Sequence, residues 1–235
     1  PLKLISTDMP VGINYNAGVS AQLKSAVIFA GLNSFGNTKI FESKRSRDHT
    51  ENLLARNPQA IKISNVKKKL ITISGKKYLN PITISIPGDP SSAAFFTALT
   101  LLNNKSYLNM RSICLNPKRL GFFKLLKNQG AKIQFRNLKK NNNEIFGDII
   151  VQNCKLKPFR ASKNYYTIMT DEYPILFVMA ALIKGVSVFK GIKDLSNKES
   201  DRVKEMQKVL GQINIRSKVS KNEFKIYGQG LIDAS

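Results

Sequence analysis

The residues best placed to do chemistry lie in one stretch, residues 170–202. Asp171 and Glu172 come directly before an unbroken apolar run, and Lys198, Glu199 and Arg202 mark the expected start of a second helix. The positive end of the helix dipole favours carboxylates and disfavours cations. Lys198 and Arg202 go against that preference and share one face of the expected helix. Cations beside free backbone N–H groups bind anions, so the stretch predicts an anion site flanked by carboxylates.

A second interpretation of the same charges remains open. Lys198 and Arg202 can pair with Asp201 and Glu199 on a solvated turn. Ion pairs of that kind contribute only about 0–1 kcal/mol to stability. The spacing alone does not distinguish this surface turn from an anion site.

The charge of the chain is strongly positive but scattered. Its 38 Lys and Arg against 15 Asp and Glu give a formal net charge of +23 over 235 residues. Most of the excess is Lys in loops and strand edges, without the interleaved aromatic residues of a base-stacking surface. We therefore expect no nucleic-acid partner, and we expect the charge to attract small anionic substrates.

Few residues are available for redox or metal chemistry. Cys114 and Cys154 make no disulfide framework, which fits a cytoplasmic protein. His49 is the only histidine, which excludes a His-rich metal site and disfavours a Ser-His-Asp triad. The longest apolar run is too short to span a bilayer, and no signal-peptide pattern opens the chain, although its first residue is Pro1 rather than Met. We expect a soluble protein with no membrane partner.

The elements that must position these residues form a repeat of buried helix, strand, amphipathic helix and two strands. In the first copy, Ser20 is a natural N-cap and Gly31 a natural C-cap of the buried helix, and Ser46 opens the second helix. The strands of this copy are expected at residues 38–42, 60–64 and 70–74, with a hairpin turn at 67–69.

Two further copies follow in the same order. In the second, Pro90 starts a buried helix, Asn116 caps the amphipathic helix and Gly130 ends it. Its strands are expected at residues 107–115 and 131–135. In the third, the buried helix stops at Gly185, and strands are expected at residues 186–190, 213–216 and 223–227.

This repeat predicts an α/β or α+β architecture in which helices are gathered inside sheets. The first helix of each copy is apolar nearly all round and must be covered. Pro and Gly cluster at residues 86–89, where we expect a joint between a domain at 1–86 and a domain at 87–235.

Five motifs occur in a fixed order along the chain. They are Ser20-Ala-Gln-Leu-Lys-Ser-Ala, Ser46-Arg-Asp-His-Thr-Glu, Pro87-Gly-Asp-Pro-Ser-Ser-Ala-Ala-Phe, Asp171-Glu-Tyr-Pro-Ile-Leu and Lys198-Glu-Ser-Asp-Arg. Together they resemble the 5-enolpyruvylshikimate-3-phosphate (EPSP) synthase family, in the bacterial subtype that carries Ser-Ala-Gln. Any one of these motifs is weak, but five in order across nearly the whole chain are specific.

The resemblance implies an enzyme of the shikimate pathway, which leads to the aromatic amino acids. It would transfer the enolpyruvyl group of phosphoenolpyruvate to the 5-hydroxyl of shikimate 3-phosphate, release phosphate, use no metal or organic cofactor, and act as a monomer when full length. It also implies two domains, each built from three β-α-β-α-β-β units. The alternatives are an enolpyruvyl transferase acting on a nucleotide sugar and a basic nucleic-acid-binding module.

The resemblance also assigns roles to individual residues. It places shikimate 3-phosphate on Ser20, Ala21, Gln22, Arg47, Asp171 and Lys198. It makes Asp171 the carboxylate that accepts the 5-hydroxyl proton and Glu199 the acid that protonates the methylene carbon of phosphoenolpyruvate. Arg202 would bind the charged groups of phosphoenolpyruvate. For Asp89, Ser91, Ser92, Lys118 and Arg119 we prefer capping and surface roles.

Parts of the family pattern are not found in this sequence. The family has a Lys-Ser loop and a Gly-rich loop before the region that matches here, and further cations for phosphoenolpyruvate after it. We therefore expect the 235 residues to be an internal fragment that holds the last unit of the first domain and two units of the second. Such a fragment should be inactive alone.

Overall fold

In the computed structural model, the described residues are Lys3, Ile5, 7–65, 69–197 and 200–230. The chain divides into two compact units. Unit 1 comprises Pro1–Ser85 with Asn141–Glu144, and unit 2 comprises Ile86–Lys140 with Ile145–Ser235. No helix within the described ranges has the length and hydropathy needed to cross a membrane.

The described residues of unit 1 form one four-stranded sheet and two α-helices. The strands are β1 (Asn14–Ala17), β2 (Asn37–Glu42), β3 (Ile61–Ser64) and β4 (Lys69–Ser74), in the order β1-β2-β4-β3. The helices are α1 (Ala21–Asn33) and α2 (His49–Leu54). Strand β1 runs parallel to β2, and the other pairs are antiparallel. The order helix, strand, helix, strand, strand is the one predicted; the turn expected at 67–69 falls largely outside the described residues.

The predicted C-cap of α1 is wrong. Gly31 lies inside the helix, which continues to Asn33 and is capped by Ser34. A Cβ at Gly31 would lie 2.9 Å from the side chain of Thr38 on β2. Glycine is therefore needed here for the close approach of helix and strand rather than for a left-handed turn. This contact helps to bury Ile28, Ile40, Ile71 and Ile73 in the core of the unit.

The predicted start of α2 is also wrong. The helix begins at His49, and Ser46 is a buried loop residue rather than a cap. The backbone N–H and the hydroxyl of Ser46 both donate to Glu42 Oε1, at 2.9 and 2.7 Å. Ser46 therefore bonds to Glu42 on strand β2 and does not cap the helix as the local pattern predicted.

In the part of unit 2 that the structure describes there are two sheets and four α-helices. One sheet has the order β5-β7-β6, formed by Tyr107–Cys114, Glu144–Gln152 and Lys132–Asn141. The other has the order β10-β11-β9-β8, formed by Ser217–Ser220, Glu223–Gly228, Gly185–Lys190 and Arg160–Ala161. The helices are α3 (Pro90–Leu102), α4 (Gly121–Asn128), α5 (Tyr173–Ala181) and α6 (Arg202–Gln212). Mixed helix and sheet in both units confirm the predicted α/β class.

The buried helix α5 lies at the centre of the core of unit 2. The rings of Phe177 and Phe189 meet edge to face with centroids 4.9 Å apart, and Phe224 meets Phe177 at the same distance. Aromatic pairs prefer this geometry. The helix follows a single 3-10 turn at Thr170–Glu172, with Pro174 in its first turn as predicted. The core packing therefore fixes the backbone that carries Asp171.

Two predicted boundaries in unit 2 are wrong. Helix α4 begins at Gly121 rather than near Asn116, and a Cβ on Gly121 would lie 2.7 Å from the Ile168 carbonyl oxygen. The strand expected at 213–216 is β10, four residues later, because Asn214 adopts a left-handed turn with φ of 58°. Helix α6 begins at Arg202, and the start expected at Lys198 lies outside the described residues.

Candidate active site

In unit 1, the first half of the predicted site is the N-terminus of α1. Ser20 caps this helix, and its Oγ accepts a hydrogen bond of 3.3 Å from the Leu23 N–H. Ala21 is half-buried and Gln22 is exposed in the first turn. The N-terminal N–H groups of the 13-residue helix create a positive potential that suits an anion.

Arg47, the cation predicted for the same anion, lies in the loop between β2 and α2. Its side chain is half-buried. Its backbone carbonyl accepts a hydrogen bond of 2.8 Å from Nζ of Lys24, which lies on α1. The loop that carries Arg47 is thus bonded to the helix whose N-terminus carries Ser20.

Lys24 belongs to a cluster of four buried charges that the sequence analysis did not find. Its Nζ lies 2.9 Å from Glu42 Oε1 and 2.7 Å from Glu51 Oε1. Lys69 contacts the same two carboxylates, at 3.3 and 2.7 Å. Two cations and two anions balance, which is the arrangement that makes buried charge tolerable.

The contacts within the cluster shift the pKa values of Glu42 and Lys69 in the direction that favours their charged forms. Burial alone would raise the pKa of Glu42, but the hydrogen bonds from Ser46 and the contact with Lys24 outweigh it and lower the pKa to about 2. Burial would likewise lower the pKa of Lys69, but Glu51 and Glu42 raise it above its usual value. Glu42 and Lys69 are therefore held in their charged forms at neutral pH.

In unit 2, Asp171 and Arg202 form an ion pair. Nη1 of Arg202 is 3.3 Å from Oδ1 of Asp171, and the two side chains are 24% and 38% exposed. Asp201 caps α6 by accepting a 3.0 Å hydrogen bond from the Lys204 N–H. The 3-10 turn before α5 and the start of α6 therefore face each other. Lys198 and Glu199 lie outside the described residues.

A hydrogen-bonded chain supports the turn that carries Asp171. Arg119 Nη2 donates to Asp89 Oδ1 at 2.6 Å and to Ser91 Oγ at 2.8 Å, and the Ser91 hydroxyl donates to Glu172 Oε1. Glu172 is 3% exposed and adjoins Asp171. The surface role preferred for Arg119 is therefore wrong, since its side chain is only 15% exposed. Asp89 keeps its predicted capping role for α3.

The charge at the N-terminus of α3 follows from the same contacts. Burial would raise the pKa of Asp89, but the Arg119 guanidinium and the N–H groups of Ser91 and Ser92 outweigh it and hold the pKa below its usual value. Arg119 thus contacts an ionised carboxylate and a hydroxyl at once. Nothing local in the sequence joins Ser91 to Glu172, which is 81 residues later.

Comparison with solved structures identifies the fold. An EPSP synthase from Acinetobacter baumannii superposes with a TM-score of 0.81 and 31% identity, covering 94% of this chain and 50% of that protein. The enolpyruvyl transferase NikO from Streptomyces tendae gives a TM-score of 0.63 at 13% identity, which shows the fold alone. The chain therefore has the enolpyruvyl transferase fold that the sequence predicted.

The sequence comparisons then identify the family. Residues 5–233 match the family described as EPSP synthase (3-phosphoshikimate 1-carboxyvinyltransferase), and the chain belongs to this family. Proteins named 3-phosphoshikimate 1-carboxyvinyltransferase are similar to it: one from Dinoroseobacter shibae is 36% identical over 238 residues, covering 98% of this chain and 52% of the relative. One from Persephonella marina is 38% identical over 227 residues, covering 94% and 52%. The chain spans about half the length of the curated relatives it matches.

Proposed function

We propose that the complete protein carrying this chain transfers the enolpyruvyl group of phosphoenolpyruvate to the 5-hydroxyl of shikimate 3-phosphate and releases phosphate. The observation that carries the proposal is the pairing of Asp171 with Arg202 at 3.3 Å, in a chain that matches the family over residues 5–233. This pairing brings a proton acceptor and a cation together, which addition to an anionic enol phosphate requires.

Shikimate 3-phosphate is bound in part by unit 1. Its phosphate accepts hydrogen bonds at the N-terminus of α1, from Ser20 and Ala21, with Gln22 against the ring. Arg47 supplies the cation. The positive end of α1 and the bond between Lys24 and the Arg47 carbonyl support this assignment, because the helix start and the guanidinium each favour an anion and one residue of α1 joins them. Asp171 and Lys198 complete the set of residues proposed for this substrate.

The reaction itself depends on the carboxylates of unit 2. Asp171 accepts the proton of the 5-hydroxyl as its oxygen bonds to the substituted carbon of phosphoenolpyruvate, and Glu199 delivers a proton to the methylene carbon. Phosphate then leaves with the proton that Asp171 took from the hydroxyl, the new methyl group returns a proton to Glu199, and the double bond is restored. Arg202 compensates the phosphate and carboxylate charges throughout, and neither proton transfer needs a metal or an organic cofactor.

We propose the further organisation on the same grounds. Residues 1–86 would belong to a domain that binds shikimate 3-phosphate and residues 87–235 to a domain with the catalytic carboxylates; the division between the compact units at Ser85 supports this boundary. The protein would act in the cytoplasm as a monomer, without a nucleic-acid or membrane partner. Its two free cysteines suit a reducing compartment.

Phosphate release by the complete protein tests the function. With both substrates, the wild type should release phosphate at a rate that falls at least about a hundredfold in Asp171→Asn and Glu199→Gln, since each removes a proton-transfer group. Asp201→Asn is the matched control, because asparagine still caps α6 and Asp201 has no proposed role in the reaction. No phosphate release with shikimate 3-phosphate, but release with a nucleotide sugar, would assign the protein to the alternative transferase. Tight binding of a random oligonucleotide at moderate salt without any turnover would favour the basic module.

A further inference from the structure

The buried charge cluster of unit 1 contacts the predicted phosphate site at one point. Glu42 on β2 binds both the N–H and the hydroxyl of Ser46, which directly precedes Arg47. Lys24 on α1 binds the carbonyl of Arg47 itself. Two successive residues of the loop before α2 are therefore held by two members of the cluster.

Lys24 also fixes the distance between the two halves of the phosphate site. It lies one helical turn after Ser20, and its backbone N–H donates to the Ser20 carbonyl at 3.2 Å. Its side chain is fully buried and reaches the Arg47 carbonyl at 2.8 Å. One residue thus bonds to the helix start on one side and to the cation's backbone on the other.

We propose that Lys24 is a positioning residue that holds the Arg47 loop against the N-terminus of α1, so that helix and guanidinium bind one phosphate together. Glu42 assists by holding Ser46. The inference rests on the proposed binding of shikimate 3-phosphate. Preorganised donors bind an anion more strongly than donors that must first be ordered, so Lys24 would act on affinity without touching the substrate.

The simpler alternative is that the cluster only stabilises the fold. The two lysines separate the alternatives, because both contact Glu42 and Glu51 but only Lys24 contacts the Arg47 carbonyl. A purely structural cluster predicts similar effects when either lysine is replaced. A positioning role predicts that substrate affinity depends on Lys24 far more than on Lys69.

The test measures the affinity of shikimate 3-phosphate by titration calorimetry in the complete protein. Lys24→Met should weaken binding about ten- to hundredfold, the range expected when a binding group is misplaced by about an ångström. Lys69→Met, the matched control, should stay within about threefold of the wild type. In steady-state kinetics the loss in Lys24→Met should appear mainly in KM for shikimate 3-phosphate. Equal losses of affinity in the two variants overturn the proposal.

If the single replacements unfold the protein, a pair of double variants tests the same proposal. Lys24→Met with Glu51→Gln and Lys69→Met with Glu51→Gln each remove one positive and one negative charge, so both leave the cluster neutral. Each leaves one lysine beside Glu42. Only the first loses the bond to the Arg47 carbonyl. The same ten- to hundredfold difference in affinity is expected between them, and equal affinities overturn the proposal.

The experiment also separates this inference from the proposed function. If the wild type fails to bind shikimate 3-phosphate at all, the proposed function is wrong and the inference falls with it. If the wild type binds and both lysine variants lose affinity to the same extent, the function stands and the positioning role is wrong. Weaker binding in the Lys24 variants alone supports both.

Discussion

The two units hold their predicted site residues in different ways. In unit 1, Lys24, Glu42 and Glu51 have side chains at most 1% exposed, and together with Lys69 they form a cluster of two cations and two anions that is bonded to the loop of Arg47. In unit 2, Asp171 and Arg202 form an ion pair of 3.3 Å with side chains 38% and 24% exposed. The charged groups of unit 1 are therefore buried and bonded to one another, whereas the ion pair of unit 2 is partly exposed to solvent.

The difference shows which contacts can change when a substrate binds. A buried ion pair is costly to break, because the partner left behind stays desolvated. An exposed pair contributes little, and water or a ligand can replace either member. Arg202 can therefore exchange Asp171 for a substrate anion, whereas Lys24 stays bonded to its carboxylates. The exposed pair suits the reacting groups that we propose for unit 2, and the buried cluster suits the phosphate site that we propose for unit 1.

The largest expected effect is on stability, and it separates the two kinds of contact. Lys24→Met leaves two buried carboxylates with one cation, so it should lower the free energy of unfolding of unit 1 by about 3–5 kcal/mol. Arg202→Met, which breaks the exposed pair, should cost no more than about 1 kcal/mol. Urea unfolding followed by hydrogen exchange in each unit measures both. Equal costs would mean that burial does not distinguish the two contacts.

Acid should weaken unit 1 through Glu42. The pKa of Glu42 is lowered from its usual 4.5 to about 2 in the folded state, so its contribution to stability is complete above about pH 4.5 and is lost as the pH falls toward 2. The stability difference between wild type and Glu42→Gln should therefore shrink over this interval. Ser46→Ala, which removes a hydroxyl donor from Glu42, should move the loss to higher pH. Parallel stability curves for wild type and Glu42→Gln between pH 5 and pH 2 would contradict this account.

The smallest expected effect concerns the support of Asp171. Ser91→Ala removes the hydroxyl shared by Arg119 and Glu172, so it should cost about 1 kcal/mol in stability. It should also slow turnover a few-fold, since the turn of Asp171 is less well held. The exposed neighbour Ser92, which contacts only the cap residue Asp89, is the control. If Ser92→Ala slows turnover as much as Ser91→Ala does, the hydrogen-bonded chain does not position Asp171.

Features that depend on neighbouring residues, such as helix caps, could be predicted from the sequence. Ser20 and Asp89 cap the helices expected of them, because capping depends on residues within one turn. The family motifs also located Asp171 and Arg202, which the structure pairs. Strand β7 was missed, although its alternating apolar residues, of which Ile149 and Val151 are fully buried, are a local signal for a strand.

The supporting contacts could not be predicted because they join distant parts of the chain. Lys24 and Glu42 are 18 residues apart, and Ser91 and Arg119 are 28 apart. Ser46 carries a sound local signal for a helix cap, and a buried carboxylate on β2 overrides it. A motif shows which residues matter, whereas the side chains that hold them follow from tertiary packing.

The division of binding between the two units is the central claim, and a pair of affinities tests it most directly. Titration calorimetry would compare shikimate 3-phosphate and phosphoenolpyruvate binding in the complete protein with Arg47→Met and Arg202→Met. A lost charge-assisted hydrogen bond costs about 1.5–3 kcal/mol, so Arg47→Met should weaken shikimate 3-phosphate binding about ten- to hundredfold. Arg202→Met should leave the affinity for shikimate 3-phosphate within about twofold of the wild type. It should weaken phosphoenolpyruvate binding, measured with shikimate 3-phosphate present, by about ten- to hundredfold. Unchanged shikimate 3-phosphate binding in Arg47→Met, with a large loss in Arg202→Met, would contradict the account.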